Sequence, residues 1–205
     1  ADRLAEHLNV IYNSDINYIS RRHDRWQIKG EEYDKIIFCG NIKDLPSMVG
    51  DSIDLDSFRE PIEQLEFHGT TSVFCEIDQN PYSWVYMPSR EHLSHRIICT
   101  GNFSPTNNVS GKMTGTIEFT DYISKDDINW NLLHIPFHPK YLVHKYTKFT
   151  YPVQDASTRK MINALKFVTQ KKDFYLLGRF AEWEYYNMDA AMGAALDLNK
   201  VINSL

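Results

Sequence analysis

The sequence contains few cysteines, no long apolar run and no excess of positive charge. Cys39, Cys75 and Cys99 form no C-x-x-C pair, and an odd cysteine count argues against a disulfide framework and favours a reducing, cytoplasmic compartment. No apolar run approaches the roughly 20 residues that span a bilayer. The formal net charge of -5 over 205 residues argues against a broad basic face for nucleic acid.

Two further features are missing. The sequence contains no G-x-G-x-x-G or Walker motif, so it offers no glycine-rich loop that would cradle a phosphate. It also begins at Ala1, without an initiator Met, directly in a helix-like segment that ends near Leu8. We therefore expect a piece of a longer protein. The hydrophobic fraction of 42% and the aromatic fraction of 13% indicate a folded chain with a real core.

The outer parts of the chain are typical of α/β proteins. Short β-like runs are predicted near residues 10–12, 16–19 and 25–28, and the apolar run 33–40 predicts a strand buried on both faces. Asp155 is placed to cap a helix that ends near Gln170. A short buried strand at 174–177 and a last helix from Met188 follow.

The middle of the chain predicts an antiparallel sheet. Five runs between residues 62 and 122 alternate with clusters of Gly, Pro and Asn. Ser124 begins a capping-box pattern for a short helix, and a further strand is predicted at 143–149. Residues 41–60 have the composition of a loop or linker. These patterns predict three segments, 1–45, 46–145 and 146–205, in which the outer two form one domain and the middle forms another.

The densest group of chemically capable residues lies between the last short strand and the last helix. It reads Gly178-Arg179-Phe180-Ala181-Glu182-Trp183-Glu184-Tyr185-Tyr186-Asn187-Met188-Asp189. Asn187 can cap the helix and leave the amides of Met188 and Asp189 free for an anionic or electron-rich group. Arg179 offers a planar donor fork that suits phosphate. The alternative is an ordinary capped helix with aromatic packing.

Two other positions are candidates for binding an anion. Tyr151 precedes Pro152, whose fixed φ can hold the tyrosine in a defined direction. Arg96 follows His95 at the edge of the predicted sheet and can bind a phosphate or carboxylate. The alternatives are a surface tyrosine at a strand end and a solvated strand charge.

The histidines and cysteines favour neither a metal site nor a catalytic thiol. His134, His138 and His144 are separated by Pro136 and Pro139, which prevent a pair of ligands on one helix face. The cysteines lack a neighbouring base and are predicted to be small buried side chains.

The segment Gly178–Asp189 closely resembles the C-terminal motif of UDP-galactopyranose mutases, which reads about G-R-L-A-E-Y-K-Y-Y-D-M-D/H. Three other segments agree in order with the same family. Residues 33–42 resemble its Y-D-x-V-I-Y-T-G-P-I stretch, His95-Arg96-Ile97-Ile98 is similar to T-R-I-I, and Tyr151-Pro152-Val153 matches Y-P-V. The wider relatives are the amine-oxidase and protoporphyrinogen-oxidase flavoproteins, which residues 85–104 and 121–144 resemble equally well.

This resemblance implies an α/β (α+β) fold in which an antiparallel substrate-domain sheet is flanked by remnants of a Rossmann-like FAD-binding domain. It implies FAD in the full-length protein and a UDP-galactose-like nucleotide sugar as substrate, in lipopolysaccharide or surface-polysaccharide biosynthesis. The mutases use reduced FAD as a nucleophile toward the sugar. The resemblance leaves a homodimer open.

The resemblance also assigns roles to residues. Arg179 and Tyr185 correspond to residues near the diphosphate and the flavin, and Arg96 and Tyr151 to residues that line the same cleft. The resemblance further implies that the following residues, at the start of the last helix and in the turn before it, contact the flavin: Gly178, Arg179, Asn187, Met188 and Asp189.

Two departures from the family pattern bear on these roles. Asn187 replaces an aspartate, which removes a charge, and the missing glycine motif implies that this chain alone binds FAD poorly and is inactive. The alternatives are a flavin oxidase of the amine-oxidase type and a non-catalytic ligand-binding module.

Overall fold

The computed structural model describes residues 2–108 and 111–204, which fall into two compact units. The sheet unit is Glu66–Val153, and the split unit combines the residues up to Leu65 with those from Gln154 onward. The sequence placed these boundaries earlier, after residues 45 and 145. In chain order the elements are α1 (Asp2–Ala5), β1 (Ser20–Arg22), β2 (Arg25–Ile28), β3 (Glu31–Tyr33), β4 (Ile36–Phe38), α2 (Leu45–Val49), α3 (Asp56–Glu63), β5 (Phe67–Ile77), β6 (Trp84–Tyr86), β7 (Ser94–Ile98), β8 (Met113–Thr120), α4 (Lys125–Leu132), β9 (Lys140–Pro152), α5 (Ala156–Gln170), β10 (Phe174–Leu176) and α6 (Met188–Asn203).

The sheet unit contains one antiparallel sheet with the strand order β6-β7-β8-β5-β9. Alternate residues of the central strands point to one face and form its core with residues of α4. Ile117 and Phe119 on β8 are at most 1% exposed, whereas Glu118 between them points to the opposite face. The side chain of Ser124 accepts a hydrogen bond from the amide of Asp127 and caps α4 as predicted.

The split unit contains a three-stranded antiparallel meander, β1-β2-β3, and a parallel pair, β4 and β10. Trp26 on β2 is fully buried and joins the two. Its indole N–H donates to the carbonyl of Lys172 at 2.8 Å, and its ring packs edge-on against Phe174 with centroids 5.2 Å apart. The cap on α5 is also as predicted, because the Asp155 carboxylate accepts from the amide of Thr158 at 2.6 Å.

Three local predictions for the first 65 residues are wrong. The runs 10–12 and 16–19 form no strand, since no partner strand lies beside them, and Tyr12 is 78% exposed. The strand at 33–40 is shortened to β4 and is not buried on both faces, because Ile37 is 48% exposed.

The predicted loop at 41–60 instead forms α2, most of α3 and two 3-10 turns, and it contributes buried side chains at Ile42, Leu45 and Val49. Lys43 stabilises the end of α3, since its ammonium donates to the carbonyls of Ile62, Glu63 and Leu65 at 2.7–3.0 Å. This packing explains why the unit boundary follows residue 65 and not residue 45. None of the helices within residues 2–108 and 111–204 combines the length and apolar character that crossing a membrane requires.

Candidate functional site

The turn after β10 is built around a buried carboxylate. Gly178 has φ +102°, a conformation that glycine adopts without strain. Its amide donates to the Glu182 carboxylate at 3.0 Å, and the amide of Glu182 donates back to the Gly178 carbonyl at 2.9 Å. Lys166 on α5 neutralises Glu182 at 2.6 Å. The turn is therefore held in one shape before the residues of the motif begin.

Arg179 lies across the ring of Tyr185. The guanidinium carbon is 5.2 Å from the ring centroid, a cation–π distance. Its Nε donates to the carbonyl of Tyr186 at 3.1 Å, and its Nη2 donates to the same oxygen. The plane of the guanidinium is thus fixed by the backbone that leads into α6, and Arg179 and Tyr185 act as one preorganised pair.

Residues of α5 support this loop, and sequence reasoning missed them. Arg159 donates to the carbonyls of Glu182 and Trp183 at 2.8 and 2.9 Å and pairs with Glu184 at 2.9 Å. The signal was present, because Arg159 and Lys166 are seven residues apart and share the helix face of the buried Ile162. Two cations on a buried helix face require acidic or carbonyl partners.

Tyr186 is the second titratable group that faces this loop. Burial raises the pKa of its phenol to about 12, with further contributions from the charge of Glu182 and its hydrogen bond and from the charge of Glu184. Tyr186 therefore stays a neutral donor at physiological pH and is no acid–base catalyst.

The start of α6 presents an amide cluster, although Asn187 does not cap it as predicted. Asn187 occupies the N-cap position with extended backbone, but its side chain makes no cap hydrogen bond. The first helical bond runs from the amide of Ala191 to the carbonyl of Asn187 at 2.9 Å, so the amides of Met188, Asp189 and Ala190 precede the bonding pattern of the helix.

These groups fit one end of a flavin. Main-chain amides at a helix start suit the electron-rich N1–C2=O edge of the ring, and Met188 beside them is 85% exposed. The carboxylate of Asp189 shares the same turn and makes it less suited to a fully charged anion. For the ADP part of FAD, the sequence offers no glycine cradle.

A second group of candidates lies on the exposed face of the sheet unit. The Nε of Arg96 donates to Glu118 at 2.5 Å, and its Nη2 donates to the hydroxyl of Tyr151 at 3.1 Å. Burial alone would lower the pKa of Arg96, but the hydrogen bond and charge of Glu118, aided by Tyr151, raise it above its usual value. Arg96 is therefore a permanent cation held against a tyrosine hydroxyl, an arrangement suited to phosphate oxygens.

A β-bulge lets two consecutive residues reach the same carboxylate. The pairing of β7 with β8 shifts register between Ser94 and Arg96, which re-aims His95 toward the face that Arg96 occupies. The Nε2 of His95 lies 3.6 Å from the carboxylate of Glu118. Burial of Glu118 would raise its pKa, but hydrogen bonds from His95 and Arg96 lower it below its usual value.

Sequence reasoning also missed the neighbours of Arg96 on β6. Tyr86 lies directly opposite Arg96, and Trp84 lies opposite Ile98, so both rings share the face of Arg96. They are 63% and 55% exposed. The alternation Trp84-Val85-Tyr86 was the available signal, since alternate residues of a strand point to the same side.

The structure thus forms two pairs, Arg96 with Tyr151 and Arg179 with Tyr185. The first pair belongs to the sheet unit and the second to the split unit. That all four residues line one cleft stays a prediction.

The histidines and cysteines have structural surroundings. His138 pairs with Asp78 at 2.6 Å, and His144 meets the hydroxyl of Tyr141 at 2.7 Å. Across residues 2–108 and 111–204, no three metal-binding side chains cluster. Cys75 and Cys99 are buried, while Cys39, predicted to be buried, is exposed. Burial raises the pKa of all three thiols and so disfavours the thiolate.

The comparisons with known proteins define a class of fold. No protein-family model matches the chain, and no curated protein matches it in sequence. Solved structures of a mutase, several oxidases and a fatty acid isomerase share its fold. The mixed fold with an antiparallel sheet, predicted from the sequence, is therefore confirmed.

Among these structures is a reduced UDP-galactopyranose mutase, with a TM-score of 0.77 and 16% identity over 93% of this chain and 46% of that one. A protein described as a protoporphyrinogen oxidase from Exiguobacterium gives a TM-score of 0.65 at 13% identity, over 90% of this chain and 45% of that one. A putrescine oxidase variant gives 0.63 at 9%, over 92% and 48%. The chain therefore spans about half the length of the structures it matches.

Proposed function

We propose that this chain is the substrate-facing part of an FAD-dependent, UDP-galactopyranose mutase-like enzyme that interconverts the ring forms of a nucleotide sugar for lipopolysaccharide or surface-polysaccharide biosynthesis. The observation that carries the proposal is the pair formed by Arg179 and Tyr185 at the start of α6, inside the motif that resembles the mutases. The three unpaired cysteines support a cytoplasmic location.

The roles of this chain's residues follow from their chemistry. Arg96 with Tyr151, and Arg179 with Tyr185, would hold the diphosphate and stabilise the negative charge that develops when it leaves the sugar. Each arginine is already oriented by a neighbouring acceptor, so little reorganisation accompanies binding. These partners explain why two arginines tolerate partial burial.

FAD would supply a reducible ring that acts as a nucleophile when reduced. The residues suited to its ring edge are Gly178, Arg179, Asn187, Met188 and Asp189. Asn187 is neutral, so the negative charge of a reduced ring meets only one carboxylate, that of Asp189, in the first turn of α6. Ring contraction then leaves no net oxidation, since the same sugar–diphosphate bond is broken and re-formed.

The second candidate is an oxidase of the amine-oxidase type. The observation that favours it is the likeness to a protoporphyrinogen oxidase and a putrescine oxidase, with TM-scores of 0.65 and 0.63. An oxidase consumes oxygen or another acceptor, whereas a mutase does not. The third candidate, a non-catalytic binding module, predicts neither reaction.

The decisive experiment measures turnover in the protein as its natural source makes it. With bound flavin and a reductant, UDP-galactopyranose should be converted to the furanose form without oxygen uptake. Oxygen uptake with an amine or porphyrinogen would replace the mutase by the oxidase. A bound flavin that supports neither reaction would refute both enzymes.

Binding of UDP by calorimetry tests the residues separately. Arg96→Met should weaken binding roughly tenfold or more, because a charge-assisted hydrogen bond is lost. The matched control Lys112→Met removes an exposed cation elsewhere in the sheet unit and should leave the affinity unchanged. Equal affinities of the two variants would remove Arg96 from the site.

A further inference from the structure

Helix α6 is apolar on more than one side. Ala194 and Leu198 face a cleft of about 280 Å³ that Leu176 and Leu177 line from the end of β10. On another side, Met188, Met192 and Leu196 follow each other at four-residue spacing and are 85%, 57% and 65% exposed. We define these three residues, with Ala195, as the docking face.

No residue of this sixteen-residue helix is buried. A helix that is apolar around most of its circumference is normally enclosed by protein. Exposed methionines are flexible side chains that adapt to a partner surface. The docking face carries no charge, so it suits an apolar protein surface and not a phosphate or a nucleic acid.

The neighbouring strands lack a partner as well. The three residues of β10 are at most 2% exposed, and β10 pairs with β4 in parallel. Within the described residues neither strand has a second neighbour. Parallel sheets occur almost only as larger sheets with helices on both faces. The split unit therefore offers an open sheet edge and an uncovered helix face.

The matched structures indicate what covers them. This chain corresponds to 46% of the mutase, 45% of the protoporphyrinogen oxidase and 48% of the putrescine oxidase. The remaining half of each has no counterpart in these 205 residues, nor does the sequence contain the glycine motif of a dinucleotide site.

We propose that the docking face of α6 and the open edge of the β4–β10 sheet bind a polypeptide segment that carries a parallel strand, a G-x-G-x-x-G turn and a helix. The inference rests on the flavoprotein assignment in the proposed function but not on the mutase reaction. The segment extends the sheet beside β10 and packs its apolar side chains on Met188, Met192 and Leu196.

A photo-crosslinking amino acid at position 192, in cells that naturally make the protein, tests this directly. Mass spectrometry should identify a crosslinked peptide from a strand, G-x-G-x-x-G turn and helix. The mass of the intact product then shows whether that segment belongs to the same polypeptide or to another. The control position is Lys160, an exposed residue of α5. Crosslinks to a second copy of α6, to a segment without that motif, or at no more than the control level would overturn the proposal.

A variant gives an independent readout. Met192→Lys places a charge on an exposed position of α6, so folding survives, but the charge is buried without a partner on docking. We expect at least a tenfold loss of flavin bound per chain, with an unchanged far-UV circular dichroism spectrum. Unchanged flavin content would refute the docking face. A specific crosslink with bound flavin but no mutase turnover would instead refute the proposed reaction alone.

Discussion

Replacing Glu118 by Gln is a sharp test of the charge cluster on the sheet face. The carboxylate of Glu118 accepts the Nε hydrogen bond of Arg96 at 2.5 Å and faces the Nε2 of His95 at 3.6 Å. Glutamine keeps the shape and one acceptor oxygen but removes the charge. The guanidinium of Arg96 then remains partly buried without a counter-charge.

The magnitude follows from the exposure of the pair. The side chain of Glu118 is 12% exposed and that of Arg96 is 24% exposed, so water screens the pair only weakly. A hydrogen bond to a charged group contributes about 1.5–3 kcal/mol. We expect Glu118→Gln to lower the free energy of unfolding of the sheet unit by about 2 kcal/mol. Glu76→Gln is the matched control, because its pair with Lys112 is 27% and 57% exposed and contributes at most about 1 kcal/mol.

Hydrogen exchange of the amides in β7 and β8 measures this loss locally, which is needed because two units need not unfold as one. The double variant with Arg96→Met should lose less than the sum of the two single variants, by about 1 kcal/mol. If Glu118→Gln costs no more than Glu76→Gln, or if the double variant is additive, the cluster does not stabilise the sheet.

Three further predictions concern pH and local geometry. Because the folded pKa of Glu118 is lowered, its contribution to stability is full above the unfolded value near about 4.3 and is lost as pH falls through the folded value; Glu118→Gln should therefore flatten the acid limb of a pH–stability curve. Asp155→Ala removes the cap on the Thr158 amide and should cost about 1 kcal/mol, seen as faster amide exchange in the first turn of α5, whereas slow exchange there would contradict the cap. Gly178→Ala should cost about 1–3 kcal/mol because of the positive φ, while Gly193→Ala, inside α6 with open space around it, should stabilise by up to about 1 kcal/mol; thermal melts that move both variants the same way would contradict the strain at Gly178.

Local signals gave correct predictions wherever neighbours in sequence make the contact. The caps of α4 and α5 depend on a side chain and an amide three residues away, Ser124 with Asp127 and Asp155 with Thr158. The alternation of the sheet strands depends only on the extended backbone. These features are visible in any short window of the sequence.

Predictions failed where the contact lies elsewhere in the chain. Residues 41–60 are polar enough for a loop, yet they fold as helices because Ile42, Leu45 and Val49 bury themselves in the split unit. Residues 10–12 have a strand pattern but no partner strand. Composition cannot report which distant segment completes a core or a sheet.

The sequence by itself determined the antiparallel sheet, the caps and the motif around Arg179, because each is written in local spacing. Only the tertiary structure decided that Arg179 lies on Tyr185, that Glu182 is held by Lys166, and that Arg96 meets Tyr151 across 55 residues. The bulge at His95 depends on how β7 and β8 pair. Side chains far apart in sequence meet only when the sheet register and helix packing are set, so the arrangement of charges is a property of the fold.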